Sequence, residues 1–390
     1  MKPLDLAAWA AALLLASALF SHTIALRLLF LLAGLGLVLV AVMQDRRSLE
    51  LLPPLWLPIL LWALWSIASL AWSLEPERTA RELRSELGQN FVAFWVCFVA
   101  AQGRNAARIV CIVVGAAGLA LCANAIYVAA PGAEGWFGGP GNLSSALLIL
   151  LPCSLAAAWY GQRSGWPMPL RIAAIALAVA SLAAAYTAES RTFWLALAAQ
   201  VAVAAVLLTM NGNAVRSRRS ALALFAAALA LGAAAMTLHV QTTREALGAR
   251  SMEEDPRLAL WKEVTGRIRE RPSTGYGFGR GILRTELRGE LGEVQLWHAH
   301  NLFLDTALQL GIPGVLLLLA LLGATLREGW RLARDPAPLA MAAGIAIVSV
   351  LAGMVVRNLT DVLLVRQNAL LYWSALGVLL ALDARARVGR

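Results

Sequence analysis

Apolar runs of about 20 residues, long enough to cross a bilayer as helices, recur along the chain with short polar breaks between them. They lie near 6–22, 24–43, 55–73, 89–101, 109–130, 143–160, 170–188, 192–210, 221–240, 301–322, 339–357 and 363–382. The fourth is the shortest. Between the ninth and tenth runs, residues 241–300 break the pattern with a long polar segment that itself shows helical periodicity. The pattern predicts an all-α membrane protein of about twelve transmembrane helices with one long, partly helical loop. Nine helices fall in 1–240 and three in 301–390, on either side of the loop 241–300, and all belong to one integral domain.

Composition agrees: the 390 residues are 60% hydrophobic and 14% charged, against roughly 25% charged in soluble domains. A net charge of +10 would suit a nucleic-acid partner if the basic residues formed a patch interleaved with aromatics. They are instead scattered through loops, so no nucleic acid is expected. On alternate sides of the predicted membrane they divide unequally. Lys2, Arg46, Arg47, Arg104, Arg108, Arg163, Arg171, Arg216, Arg218, Arg219, Arg327, Arg331, Arg334, Arg385, Arg387 and Arg390, sixteen in all, share one side. The short loops opposite hold seven, Arg27, Arg78, Arg81, Arg84, Arg191, Arg357 and Arg366. The positive-inside rule makes the first side cytoplasmic, with both termini there and the long loop outside; long segments translocate regardless of charge.

Several features read as structural. Lys2 followed by an apolar run could pass for a signal peptide, but further spans follow at once, so a retained first helix is expected. Cys97, Cys111, Cys122 and Cys153 lie in or near apolar runs without a CxxC pair, which points to buried packing thiols rather than disulfides or zinc ligands. Trp56, Trp62, Trp65 and Trp72 read as core or interfacial aromatics. Segment 75–88 starts with Pro76 at a helix N1 position and pairs Glu77 with Arg81 and Arg78 with Glu82 at i,i+4, as a helix lying at the outer interface would.

For chemistry, the absences come first: no GxxxxGK[ST] loop, DxD pair, HExxH or GxSxG elbow occurs, so nucleotide-driven and metal-hydrolase readings have no support. The polar residues that remain near the outer mouth are cationic or imidazole. Arg191 sits in a tight link between two spans with Ser190 placed to cap the following helix, an arrangement that favours phosphate, although a boundary arginine can also simply snorkel. In the long loop, Asp255 and Pro256 start a helix that Pro272 stops, and Arg257, Trp261, Val264 and Ile268 share one face. An arginine heading an apolar face requires an anion, either a substrate phosphate or a carboxylate such as Glu253 or Glu254. The run from Gly275 to Gly281 reads first as a turn, with Arg280 inside it as a secondary candidate. His298 and His300 immediately precede an apolar helix, whose positive dipole end favours a neutral ring able to accept a proton. His300 is tied to the helix start, whereas His298 is expected to be less constrained and suited to holding substrate; His22 and His239 read as inert.

Together, ESR at 189–191, RLALW at 257–261, GYGFG at 275–279 and HAHNLFLDTALQLGIPG at 298–314 resemble, in order and spacing, the bacterial O-antigen ligases, within the superfamily of O-antigen polymerases, ligases and protein O-oligosaccharyltransferases. The resemblance implies an enzyme of the bacterial inner membrane that moves a glycan from undecaprenyl diphosphate to lipid A–core at the periplasmic face, without metal, ATP or other cofactor. It implies donor-diphosphate binding by Arg191 and Arg257 and a catalytic role for His300, which precedes Asn301. The single long loop favours a ligase over a polymerase or a protein-glycosylating relative. A multi-pass transporter is the rival from another class, but carriers place ionisable groups near the midplane, where these spans have almost none.

Overall fold

The structure is a computed structural model, and it describes residues 2–46, 49–128, 135–188, 190–211, 256–291, 298–362 and 364–388. Among these residues the chain is helical and contains no strand. Along the first half run α1 (Pro3–Ala18), α2 (Ile24–Gln44), α3 (Trp56–Ala68), α4 (Pro76–Glu82), α5 (Gln89–Ala100), α6 (Ala106–Val128), α7 (Pro140–Arg163), α8 (Met168–Thr187) and α9 (Arg191–Asn211). There follow α10 (Pro256–Glu270), α11 (Arg284–Leu291), α12 (Leu302–Ala333), α13 (Pro338–Arg357) and α14 (Arg366–Val388).

Every predicted span except 221–240, which lies outside the described residues, coincides with a helix. Among the described residues, seven helices are both long and apolar enough to cross a membrane: α2, α6, α7, α8, α9, α12 and α13. The others are shorter or less apolar, so the architecture is that of a multi-pass helical membrane protein, while the count of twelve rests on the sequence. The fourth span is the clearest departure. It is a helix of 12 residues, continuous through a π-helical turn (Leu83–Gly88) with α4, so the amphipathic segment and the span form one unbroken helical run. In α4 the Arg78–Glu82 pair expected from the spacing is replaced: Arg78 pairs with Glu75 at 3.4 Å and donates to the Arg280 carbonyl.

The core follows from the small residues in the apolar runs. α1, α5, α7 and α14 contribute the most enclosed apolar side chains, including Leu14, Phe94, Phe98 and Leu147. Without a hydrophobic drive between helices in lipid, close packing must supply the attraction, and glycine and alanine permit it. All four cysteines are free, as the spacing predicts.

The tenth predicted span is not one straight helix. At Gly311 the backbone turns to φ 68°, ψ −172°, breaking α12 into an eight-to-nine-residue head and a longer shaft that extends to Ala333, well past the predicted end. The break exposes the carbonyls of Leu308 and Gln309, which accept from the N–H groups of Tyr276 and Gly277 at 3.0 and 2.9 Å. In return Ile312 donates to the Pro272 carbonyl. A side chain at Gly275 would meet the Gln309 backbone at 2.5 Å, and Gly275 itself has φ +64°. The glycine run therefore serves backbone-to-backbone approach, which agrees with the turn reading rather than with ligand contact.

Candidate active site

The tryptophan-rich α3 and the short 3-10 turn that follows it (Ser69–Ala71, capped by Trp72) hold this glycine loop in place. Trp72 donates to the Thr274 carbonyl, Trp65 to the Leu310 carbonyl, and Ser69 accepts from the Phe278 N–H. Arg280 follows directly, so its guanidinium is aimed by a loop anchored on two sides. Beneath it, Leu260 and Val264 of α10 are fully buried against Tyr276, Ile282, Leu283 and Leu287, with Trp261 and Ile268 beside them. This is the apolar face expected for the segment, and Trp261 Nε1 donates to the Ala299 carbonyl at 2.9 Å, fixing the backbone between the two histidines.

The histidine segment is equally constrained from the other side. Asn301 caps α12, its side-chain oxygen accepting from the N–H groups of Phe303 and Leu304 at 2.9 and 3.1 Å, a contact that typically contributes about 1 kcal/mol. Its amide donates to the Leu359 carbonyl, and Leu302 N–H donates to the Asn358 carbonyl, so the start of α12 is stitched to the loop after α13. Asp305 accepts from the Ala299 N–H and from Gln309, whose other side-chain atom accepts from Gly279. His300 lies between these anchors with φ 46°, a left-handed conformation uncommon for a residue with a side chain and one that surrounding contacts must enforce.

The stitching brings Asp361, from the loop after α13, into the histidine cluster. Its Oδ1 is 3.4 Å from His300 Nδ1, 3.8 Å from His298 Nε2 and 3.9 Å from Arg280 Nη2. Arg280 also bonds to His298 Nε2, and the two imidazoles meet edge to face at 3.8 Å between centroids. Burial alone would raise the Asp361 carboxyl. The His300 and Val362 hydrogen bonds, with the positive fields of His300 and Arg357, more than offset it and hold the carboxylate well below its usual range. Burial and the adjacent charge of Arg280 depress His298 to about 3, which keeps it neutral. The relative freedom expected of the histidines is thereby reversed: His298 is 1% exposed, while His300 is partly open.

On one flank, Arg357 at the end of α13 donates to Thr192 Oγ1 at 2.6 Å and to Ser144 Oγ at 3.4 Å, and it lies within electrostatic reach of both Asp361 and Arg257. Arg257 is half-buried near the start of α10. Arg191 begins α9 as predicted, but its side chain lies outside the described residues, as do Glu253, Glu254 and Asp255. Ser190 stands at the cap position, its carbonyl accepting from Phe193 N–H. On the other flank a polar cavity of about 570 Å³ runs from Arg280 to Arg366 and Glu86. Desolvation and the neighbouring Glu82 raise the Glu86 carboxyl to about 7, although the Arg366 backbone N–H donates to it.

His298, His300 and Asp361 also offer one ligand atom each within 4.8 Å of one another, a donor set of the kind that suits a transition metal. Arg280 already places a fixed positive charge on two of these three ligands, so a metal would have to displace the guanidinium. The arrangement is that of a carboxylate-buttressed histidine among arginines, suited to moving one proton beside a bound anion.

These features define a helical membrane protein whose charged and imidazole groups converge at one end of its bundle. Residues 176–319 match the family model described as O-Antigen ligase, which bears out the resemblance read from the motifs: the chain carries a domain of the O-antigen ligase superfamily. No match is found among curated proteins. The matched stretch contains Arg191, Arg257, Arg280, His298 and His300, but Glu86, Arg357, Asp361 and Arg366 all lie outside it. No local signal in the sequence separated Glu86, Arg357 and Arg366 from ordinary boundary charges, and Asp361 reads there only as an acidic alternative to His300 for the base, alongside Glu189.

Proposed function

We propose that the protein is a metal- and ATP-independent, inverting glycosyltransferase that moves an O-antigen glycan from undecaprenyl diphosphate to a sugar of lipid A–core. In this reading it works at the periplasmic face of the inner membrane, with both termini cytoplasmic. The observation that carries it is the pairing of His300 with Asp361 beside the Arg257 and Arg357 flank, within and next to a domain of this superfamily. An acceptor hydroxyl gives its proton to His300, and its oxygen attacks the anomeric carbon. The bond from that carbon to the diphosphate breaks, and the electron pair leaves with the lipid diphosphate. Arg191 and Arg257 hold the charge that grows there, taking the part a metal plays in many sugar transferases.

Asp361 faces Nδ1 of His300, so it orients the ring and stabilises the imidazolium formed on proton transfer, as a buttressing carboxylate does in other histidine bases. Energy comes from the diphosphate linkage, and no nucleotide is consumed. The test is a mixture of purified protein and undecaprenyl-diphosphate glycan with either lipid A–core or a second donor. Transfer to lipid A–core is the expected result. Chain extension on the second donor would select a polymerase instead, and the absence of both reactions would refute glycosyl transfer.

A further inference from the structure

The 570 Å³ cavity is unlike the rest of the bundle's interior. Its polar lining is rich in amides, notably Asn90, Asn142, Gln367 and Asn368, a side-chain type whose groups match sugar hydroxyls, with Asn90 already donating to the Glu86 carbonyl and Asn142 to the Gly138 carbonyl. Several of its polar groups are already committed to the fold. Arg27 donates to Thr23, Gln367 and the Phe20 carbonyl, Asn368 donates to Asn142, and Glu86 accepts from the backbone of Arg366. Arg280 is held against His298 and Asp361. The Arg366 guanidinium is placed differently: it is exposed, it shares the cavity with Glu82 and Glu86, and it acts on Glu86 and Arg280 through space while making no ion pair within 4 Å among the described residues. Arg366 also has φ 51°, so the chain holds this residue in a left-handed conformation to begin α14 there.

The two flanks of Asp361 are therefore chemically different. Arg257 and Arg357 gather on one, where the diphosphate reading places the donor; amides and the Arg366 guanidinium gather on the other, reached through Arg280. We infer that this cavity seats the sugar of the acceptor, and that Arg366 reads an acidic group, phosphate or carboxylate, on that sugar. The inference rests on the transfer reading for the identity of donor and acceptor. A guanidinium matches either oxyanion with paired N–H groups, which a neutral sugar cannot use equally.

The experiment compares the full chain in detergent with its Arg366→Gln and Arg366→Lys variants, neither of which removes the backbone N–H that holds Glu86. With lipid A–core as acceptor, Arg366→Gln should raise the acceptor KM roughly tenfold, the loss expected for one charge-assisted contact, while kcat and donor KM stay within about twofold. Arg366→Lys should recover part of that loss. Dephosphorylated and carboxyl-reduced acceptors should show which group is read, because on the acceptor lacking it wild type and Arg366→Gln converge. An unchanged acceptor KM in Arg366→Gln overturns the inference, and so does a rise in donor KM alone, which would put donor glycan in the cavity. Direct titration of each lipid separates the two claims. Arg366-dependent binding of lipid A–core without transfer would sink the transfer reading and keep the seat; transfer with Arg366-independent binding would do the opposite.

Discussion

Arg357 and Arg366 lie nine positions apart on either side of Asp361, in one short connection between two helices, yet they are built for different work. Arg357 is buried and tied by hydroxyls of two other helices, Thr192 of α9 and Ser144 of α7. Arg366 is exposed and contributes its backbone to Glu86 while its side chain faces the polar cavity. The first arginine shapes a rigid flank beside Arg257, and the second faces a roomier one. On the proposed mechanism, a base at His300 would have a donor side preorganised for charge and an acceptor side lined by amides. Preorganised charge lowers a barrier, whereas a polar cavity selects what enters.

That division can be tested, beginning at its centre. His300→Ala should lose nearly all turnover, by about 10²–10⁴-fold, while donor binding survives, because a sugar hydroxyl needs a positioned base at neutral pH. Steady-state transfer with a parallel donor-binding titration checks it, and substantial remaining transfer would eliminate His300 as the base. On the rigid flank, Arg191→Ala and Arg257→Ala should each cost about 2–4 kcal/mol of transition-state stabilisation, a hundredfold or more, with poor rescue by lysine. If lysine restored either variant fully, a bidentate contact to the diphosphate would be untenable. Asp361→Asn should lower kcat by about a hundredfold with little change in either KM, since the ring loses its orienting anion while both flanks persist. A KM effect confined to the acceptor would move Asp361 into the cavity's group of residues. A chelator should leave transfer unchanged, Arg280 holding the position a metal would need; restoration of lost activity by an added divalent ion would reverse that assignment.

The smallest effects concern stability, and His298 and Glu86 should give opposite slopes with pH. His298 is depressed to about 3, so the unfolded chain binds more protons between about 6.5 and 3. Its contribution is complete above about 6.5 and is lost as pH falls through that window. Glu86 is raised to about 7, so the folded chain binds more protons between about 4.5 and 7. Its contribution is present below that window and is lost as pH rises through it. Thermal unfolding in detergent across this range should show His298→Gln weakening the acid-side loss and Glu86→Gln weakening the neutral-side one. Identical pH profiles for wild type and both variants would contradict the two assignments. Sidedness has its own test: in a background free of native cysteines, an impermeant thiol reagent added outside the cell should label Arg84→Cys and spare Ser164→Cys. The reverse labelling would move the site to the cytoplasm.

The periodicity of apolar runs was enough to locate nearly every described helix, because in lipid each backbone group must be satisfied within its own segment and length alone is a strong constraint. Local chemistry was legible too: Pro256 as a helix start, Pro272 as its stop, Asn301 before an apolar run, and HAHN as a candidate for proton transfer. What no window of sequence contained was the company that His300 keeps. Asp361 is sixty-one positions away and Arg357 nearly as far; Arg357 reads locally as an ordinary charge at a span's end, and Asp361 only as an alternative to His300 for the base. They reach the site because Leu302 and Asn301 bond to the carbonyls of Asn358 and Leu359, a pairing set by how α12 and α13 pack. The break at Gly311 was hidden for the same reason. Hydropathy reports that a stretch is apolar and does not register which carbonyls a glycine frees, and those carbonyls decide where the Arg280 loop docks. Sequence thus determined the helices and the cast of reactive groups near them. Tertiary packing decided which histidine is buried, which carboxylate serves the other, and which arginine is left facing a cavity, since those outcomes depend on distances between segments that the chain separates.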